Sequence, residues 1–282
     1  MRCQWHAFIN LLPIWMRECI DKQGKEKLIE LRLRIGLPPE LVMMDKVVCL
    51  TRVVTSDDLT FCINTASRYS PWTGGTTSRC YITAPGGHRL GLCGKVVINN
   101  GLISSVHPVT SICIRIARDF PDISQNLAKN SGSIIIIGRP GSGKTTLLRD
   151  LIRQISNTSN ESICVIDEKE EIFPTSQNQY CYDRGAHTDV LSGCNKASGI
   201  EIALRNLSPG TIAVDEITAT KDSEAILHAG WCGVRLIATA HAGNKYDFYN
   251  RLIYRKIVDS QLFDTLITMD SDKRWHAERM NK

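Results

Sequence analysis

The hydrophobic pattern of this chain changes near residue 129. Upstream, apolar positions come in mixed, interrupted runs. Downstream they come as short solid blocks, each ending in glycine, acid or histidine. In the first part, "KEKLIELRLRIG" sets Leu28, Leu31 and Ile35 at helical spacing and stops at Gly36, which predicts a helix. "KVVCLTRVV" predicts a strand. "TSDDLTFCINTASRYS" opens on a Thr/Ser cap with acids in its first turn and puts Leu59, Cys62, Ile63 and Ala66 on one face, a second helix. From Cys80 to Val106, β-rich runs broken at Pro85-Gly86-Gly87 and Asn99-Asn100-Gly101 predict an antiparallel meander, and "SICIRIAR" a further strand. "DFPDISQNLAKNSG" reads as a linker.

The second part follows another rule. "SIIIIG", "ICVID", "TIAVDE" and "RLIATAH" are all-apolar runs of the kind buried on both faces of a parallel sheet, and helical stretches separate them. The expected organisation is a mixed α+β domain over 1–128 and an α/β domain over 129–282.

Composition narrows the class. With 43% hydrophobic and 22% charged residues the chain is an ordinary globular protein, and 282 residues suit one large domain or two smaller ones. The net charge of +5 lies in residues 1–128, which hold 15 Lys/Arg against 10 Asp/Glu. That modest excess could face a membrane surface, an acidic partner or nucleic acid. No aromatic-interleaved basic stripe accompanies it, so no nucleic-acid partner is expected. The 11 cysteines include no C-x-x-C, which argues against a disulfide scaffold and a zinc module and for free thiols in a reducing cytosol. No apolar run approaches the ~20 residues of a spanning helix. The opening "MRCQWHAFINLLPIWMREC" is interrupted by His6, Asn10 and Pro13 and lacks a cleavage site. It is expected to be a docked or membrane-touching helix rather than a secretion signal.

The chemistry starts at "GRPGSGKTT". Gly138, Gly143, Lys144 and Thr145 satisfy G-x-x-x-x-G-K-[ST], directly after an apolar strand and before the helical "KTTLLRDLIRQIS". Such a loop, Gly138, Arg139, Pro140, Gly141, Ser142, Gly143, Lys144, Thr145 and Thr146, wraps the phosphates of ATP with backbone N–H groups. Lys144 would meet the β/γ oxygens, and the Thr145 hydroxyl would ligate Mg²⁺. A metal-bound phosphate also needs acids on neighbouring strands. "TIAVDE" supplies Asp215 for the metal and Glu216 to activate water; "ICVIDEKEEI" supplies Asp167, Glu168, Glu170 and Glu171. Glu168 and Glu216 both stand as candidates for the base. His241 ends "RLIATAH" at the ligand-binding edge of the sheet and could sense the γ-phosphate. Arg89, Arg115, Arg118, Arg184 and Arg205 are candidates for an arginine delivered from a neighbouring subunit.

These segments, together with "DVLSGCNKASGIEIALRNLSP", "YITAPGGHRLGLCGKVV", "SRYS" and "IRIAR", resemble the stage III sporulation protein AA family, which is similar to type II and type IV secretion ATPases. The resemblance implies a RecA-like P-loop NTPase core. It implies Mg-dependent ATP hydrolysis at the subunit interfaces of a ring, a homo-hexamer. That ring would power a channel between mother cell and forespore. It would lie in the cytoplasm against the mother-cell membrane and touch that membrane through membrane-embedded sporulation channel proteins. Four departures stand out: His187 where arginine is expected, Cys80 where glycine is expected, "PWTGGTTS" in place of an acidic stretch, and a short, polar C-terminal end. Rival readings are a nucleic-acid-dependent P-loop ATPase and a nucleotide-gated scaffold with little turnover.

Overall fold

Four isoleucines organise the larger half of the molecule. In the computed structural model, which describes residues 1–68, 80–125, 127–129, 132–176 and 179–280, they form strand β7 (Ile134–Gly138), buried throughout. Ile135 and Ile137 point into one apolar cluster, Ile134 and Ile136 into another. A strand apolar on both faces must be covered on both, so β7 lies inside a sheet between two helical layers. Each such side chain contributes roughly 2 kcal/mol by leaving water.

The chain divides into two compact units. Met1–Asp119 with Pro174–Cys181 form the first, Phe120–Phe173 with Tyr182–Lys282 the second. In the second, β8 (Ile163–Asp167), β11 (Thr188–Ser192), β12 (Thr211–Ile217), β13 (Arg235–His241) and β14 (Thr265–Met269) run parallel with β7, and β15 (Trp275–Arg279) closes one edge antiparallel. The order is β11-β8-β12-β13-β7-β14-β15. Helix α4 (Lys144–Thr158) buries Leu147, Leu148, Leu151, Ile152 and Ile155 against one face. Helices α5 (Lys196–Asn206), α6 (Thr220–Trp231), α7 (Lys245–Asn250) and α8 (Leu252–Asp259) carry Ile200, Ala203, Ile226, Phe248, Tyr254 and Ile257 to the other. The adjacent C-terminal ends of β7, β8, β12 and β13 therefore present Gly138, Asp167, Asp215, Glu216 and His241 at one edge.

The first unit is a six-stranded antiparallel sheet, ordered β3-β2-β1-β6-β5-β4. Its strands are β1 (Leu28–Arg34), β2 (Glu40–Met43), β3 (Val47–Cys49), β4 (Tyr81–Thr83), β5 (Arg89–Asn99) and β6 (Leu102–Arg115), and the unit's second segment adds the antiparallel pair β9 (Thr175–Ser176) and β10 (Gln179–Tyr180). Helices α1 (Trp5–Asn10), α2 (Ile14–Asp21) and α3 (Ser56–Ser67) share its core, with Trp5, Phe8, Leu12, Met16, Ile20, Leu59 and Cys62 buried against Leu31, Leu33, Leu90 and Ile114. The opening segment is thus core structure of this unit. Among the described residues no helix is long and apolar enough to cross a membrane. Helix α3 starts as expected, with Thr55 and Asp58 in a reciprocal capping box.

Three expectations need correction. Residues 28–34 are a strand. A bulge between Leu28 and Glu30 makes room for an extra residue, the exposed Ile29, so Leu28 and Leu31 both face inward at a spacing that imitates a helix. The true alternation begins at Leu31, with Leu31 and Leu33 buried, and Ile35 is exposed. "SICIRIAR" is no separate strand, since Leu102–Arg115 is continuous. The segment read as a linker belongs to the second unit from Phe120 onward, which moves the boundary from 128/129 to 119/120. The cause is Asp150 on α4: its buried carboxylate accepts from the N–H groups of Asp122 (2.9 Å) and Ser124 (2.8 Å) and from the Ser124 hydroxyl (2.7 Å), while Leu127 enters the core. Of the departures, "PWTGGTTS" lies outside the described residues. Cys80 takes φ 57°, the left-handed backbone that glycine adopts without cost. His187 is exposed, and its contribution is main-chain: its N–H donates to Ser156 Oγ and its carbonyl accepts from Ile163.

Candidate functional site

The loop 139–143 joins β7 to α4 and depends on glycine at its two ends. A Cβ on Gly138 would stand 2.5 Å from Ser142 Oγ and 2.9 Å from the Met269 Cβ, so only glycine fits. Gly141 and Gly143 take φ of 77° and 99°. Gly143 is the N-cap of α4, and no side chain caps that helix, which leaves its first N–H groups and the positive end of its dipole directed at the loop. Ser142 Oγ is buried without a hydrogen-bond partner, a donor held inside the loop. Arg139 and Pro140 are exposed, Thr146 half-buried.

Lys144 is buried and turned back along the loop. Its ammonium donates to the carbonyls of Gly138 and Arg139, both at 3.0 Å, and to His241 Nδ1 at 3.1 Å. Burial lowers its pKa, against the raising effect of Asp215 and Glu216. An ammonium has no acceptor to offer, so His241 Nδ1 accepts and Nε2 carries the ring proton. That proton is donated to Glu216 Oε1. The backbone of His241 is fixed in turn by the buried Tyr254, whose hydroxyl accepts from the His241 N–H (3.1 Å) and donates to its carbonyl (3.2 Å).

Asp215 and Glu216 point different ways because the strand bulges there, its register with β13 shifting between Val214 and Ile217. Asp215 accepts from the Thr145 hydroxyl at 2.8 Å and from the Thr239 hydroxyl. Thr239 Oγ1 also accepts the Glu216 N–H at 2.8 Å. Glu216 sits at φ 47°, a left-handed backbone that costs about 1 kcal/mol or more in a residue with a Cβ. Its second carboxylate oxygen binds the Lys169 ammonium. Burial alone would raise the Glu216 carboxyl, but Lys169 and then His241 outweigh it and hold it below the usual glutamate range.

The acidic run after β8 does other work. Asp167 is buried, and its carboxylate accepts from the N–H groups of Glu171 (2.9 Å), Ile172 (3.1 Å) and Phe173 (2.8 Å), closing a tight turn. Buried Arg149 on α4 grips the same turn, donating to the carbonyls of Ile172 (2.6 Å) and Glu171 (2.9 Å). Glu168 pairs with buried Lys196, whose ammonium also lies 3.8 Å from Asp222. Asp167, Glu168, Lys169, Glu171, Lys196, Asp215 and Glu216 line one recess.

The structure therefore gathers Lys144, Thr145, Asp215, Glu216 and His241 into one bonded set and ties Glu168 to Lys196 instead. Of the arginines, Arg118 is committed to the carbonyls of Lys25 and Leu28, Arg205 to Glu201, and Arg89 stacks on Tyr81 at 3.8 Å. Thr239, Lys169, Lys196, Arg149 and Tyr254 escaped the sequence reading. Only Lys169 left a signal, a cation inside an acidic run.

The set suits Mg²⁺. A hydroxyl and one carboxylate are hard oxygen donors of the kind Mg²⁺ accepts alongside phosphate oxygens and water. Among the described residues no cluster of three or more His, Cys, Asp or Glu could form an all-protein cage for another metal.

Residues 5–278 match the family described as sporulation stage III, protein AA. Stage III sporulation protein AA of Bacillus subtilis (strain 168) is 32% identical over 278 residues, covering 94% of this chain and 90% of that protein. Among solved structures, the pilus retraction motor PilT with bound ADP gives a TM-score of 0.63 at 17% identity, over 94% of this chain and 83% of that one. The Legionella pneumophila ATPase DotB gives 0.61 at 18%, over 95% and 80%. At such identities these likenesses speak to fold alone: a mixed α/β chain with a RecA-like parallel-sheet core. With nearly its whole length matched, this chain belongs to the sporulation stage III, protein AA family.

Proposed function

We propose that this protein is a Mg-dependent P-loop ATPase of endospore formation. The carrying observation is the 2.8 Å bond from Thr145 Oγ1 to Asp215, at the mouth of an uncapped helix N-terminus and beside Lys144. The family and the fold shared with DotB and PilT support the reading. Thr145 and Asp215 would hold Mg²⁺, with Thr239 keeping Asp215 in place. When bound, the ion supplies positive charge that neutralises phosphate oxygens. The loop N–H groups and Lys144 bind the β- and γ-phosphates. Glu216 orients the attacking water and takes its proton. His241, bonded to both Lys144 and Glu216, reports to one what the other holds. Glu168 is set aside as base because its carboxylate meets Lys196, whereas Glu216 is bonded through His241 to the loop lysine Lys144.

Lys144→Ala should fold and lose Mg-ATP binding, measured by titration with a fluorescent ATP analogue. Binding as tight as the parent's would refute the site. In the larger reading the protein is a homo-hexameric ring at the mother-cell face of the membrane around the forespore. There it drives a channel through membrane-embedded sporulation proteins. An arginine acting from a neighbouring copy, with exposed Arg115 at the end of β6 the candidate, would add ~10³-fold in rate. Turnover per subunit should then rise with protein concentration alongside mass. Full turnover by a monomer would remove the ring.

A further inference from the structure

Building on that reading, we propose that Lys169 is a positioning residue for Glu216, presented on a braced turn so that the carboxylate keeps one orientation beside the loop. The turn is fixed from two sides. Asp167 closes it from within through three backbone N–H groups. Arg149 ties its carbonyls to α4, the helix that begins at Lys144. Lys169 leaves this frame and meets Glu216 Oε2, while His241 Nε2 holds Oε1. A carboxylate has about four lone-pair directions, so these contacts fix its plane and leave directions open for a water. Glu216 needs such support. Its backbone is left-handed and its side chain is one-quarter exposed, so rotamer freedom is otherwise available to it.

Lys169 faces acids: Glu216 first, then Glu171 and Asp215. Its place is thus with the base. Because its side chain is about half exposed (49%), the pair holds little of the fold together. Loss of Lys169 should therefore show in turnover and leave the melting midpoint and nucleotide affinity alone.

The test is a double-mutant cycle on the full chain, using steady-state ATP hydrolysis and binding of a fluorescent ATP analogue. Lys169→Met should lower kcat roughly ten- to a hundredfold, the scale of a misplaced catalytic group, with KM and analogue affinity within about twofold. Lys169→Arg should recover most of the rate. In a Glu216→Gln background the same Lys169→Met change should cost less than about twofold more, because the group it positions is gone. Equal losses in both backgrounds, an unchanged kcat, or an affinity loss of about tenfold would overturn the inference; the last would place Lys169 on the nucleotide. Glu216→Gln alone tests the underlying reading. If that variant turns over like the parent, or the parent does not hydrolyse ATP at all, the base assignment falls and Lys169's role with it. A slow Glu216→Gln with a neutral or additive Lys169→Met sinks only the role of Lys169.

Discussion

Two acid pairs lie at the ends of two buried strands of the same sheet, and they do opposite jobs. Asp167 is the last residue of β8 and Glu168 follows it; Asp215 and Glu216 stand just before Ile217, the last residue of β12. Asp167 spends its oxygens on three main-chain N–H groups. Asp215 spends them on the hydroxyls of Thr145 and Thr239, and Glu216 on the side chains of His241 and Lys169. The histidines divide the same way. His88 is fully buried in the first unit; its Nδ1 accepts from the Ala117 N–H (3.1 Å) and its Nε2 donates to the Gln4 carbonyl (3.0 Å). Both ring nitrogens of His241 meet titratable side chains. Asp167 and His88, bonded to backbone, organise the fold, while Glu216 and His241, bonded to each other and to Lys169 and Lys144, are the groups assigned to the site.

The sharpest way to break this contrast is to remove one acid from each pair. Glu216→Gln should keep Mg-ATP binding and slow hydrolysis by ~10²–10⁴, the usual scale for a lost general base. Glu168→Gln should cost less than about tenfold, since it breaks an ion pair beside the site and touches no reacting atom. Parent-like turnover in Glu216→Gln with a dead Glu168→Gln would exchange the two roles.

The histidine contrast can be sharpened by pH. Burial lowers the His88 pKa to about 4 from an ordinary 6.5. The folded value lies below the unfolded one, so on acidification the unfolded chain takes up the proton first. The His88 contribution to stability is full above about pH 6.5, falls through the window down to about pH 4, and is level below it. At about 1.4 kcal/mol per unit the total is roughly 3 kcal/mol. Denaturant unfolding at pH 7, 6, 5 and 4 should show that slope in the parent and a flatter one in His88→Gln, which keeps a donor and an acceptor. Parallel slopes would mean that His88 takes up its proton at the same pH in the folded chain as in the unfolded one, and the division by bonding partner would fail.

The sequence made much of the second unit readable because its signals are local. Solid apolar runs, a fixed loop spacing and acids at strand ends are all set within ten residues of chain, and β7, β8, β12, β13 and the loop lie where those signals put them. In the first unit the decisive feature at β1 was the register against β2, a pairing partner several residues away, and the bulge it forces disguised a strand as a helix. The misplaced boundary has the same origin, since Asp122 and Ser124 look like linker until Asp150 supplies their acceptor. Within the site, Lys144, Thr145 and Asp215 were legible from spacing. Thr239 and Lys196 were not, because a threonine in a buried strand and a lysine at a helix start carry no mark of the acid they will meet.

The smallest effect tests the structural side of the comparison. Asp167→Asn keeps size and one acceptor oxygen but turns the other into an amide that donates. Oδ2 accepts two N–H groups, from Ile172 and Phe173, and Oδ1 accepts one, from Glu171. Whichever way the amide is turned, at least one N–H loses its acceptor and faces a donor instead. The site is buried, 1% exposed, so water cannot replace the lost bond. Against this, burial raises the Asp167 pKa, opposed by its three backbone bonds, so removing the charge also removes a desolvation cost. The two effects offset in part, and about 1–2 kcal/mol of destabilisation should remain, within the range for a buried unsatisfied donor. Asp215→Asn should change stability less, because Thr145 and Thr239 are hydroxyls that can rotate and accept from the new amide. Unfolding midpoints of both variants at pH 7 decide the matter. A larger loss in Asp215→Asn would make that carboxylate the structural one and reverse the assignment of the two strand ends.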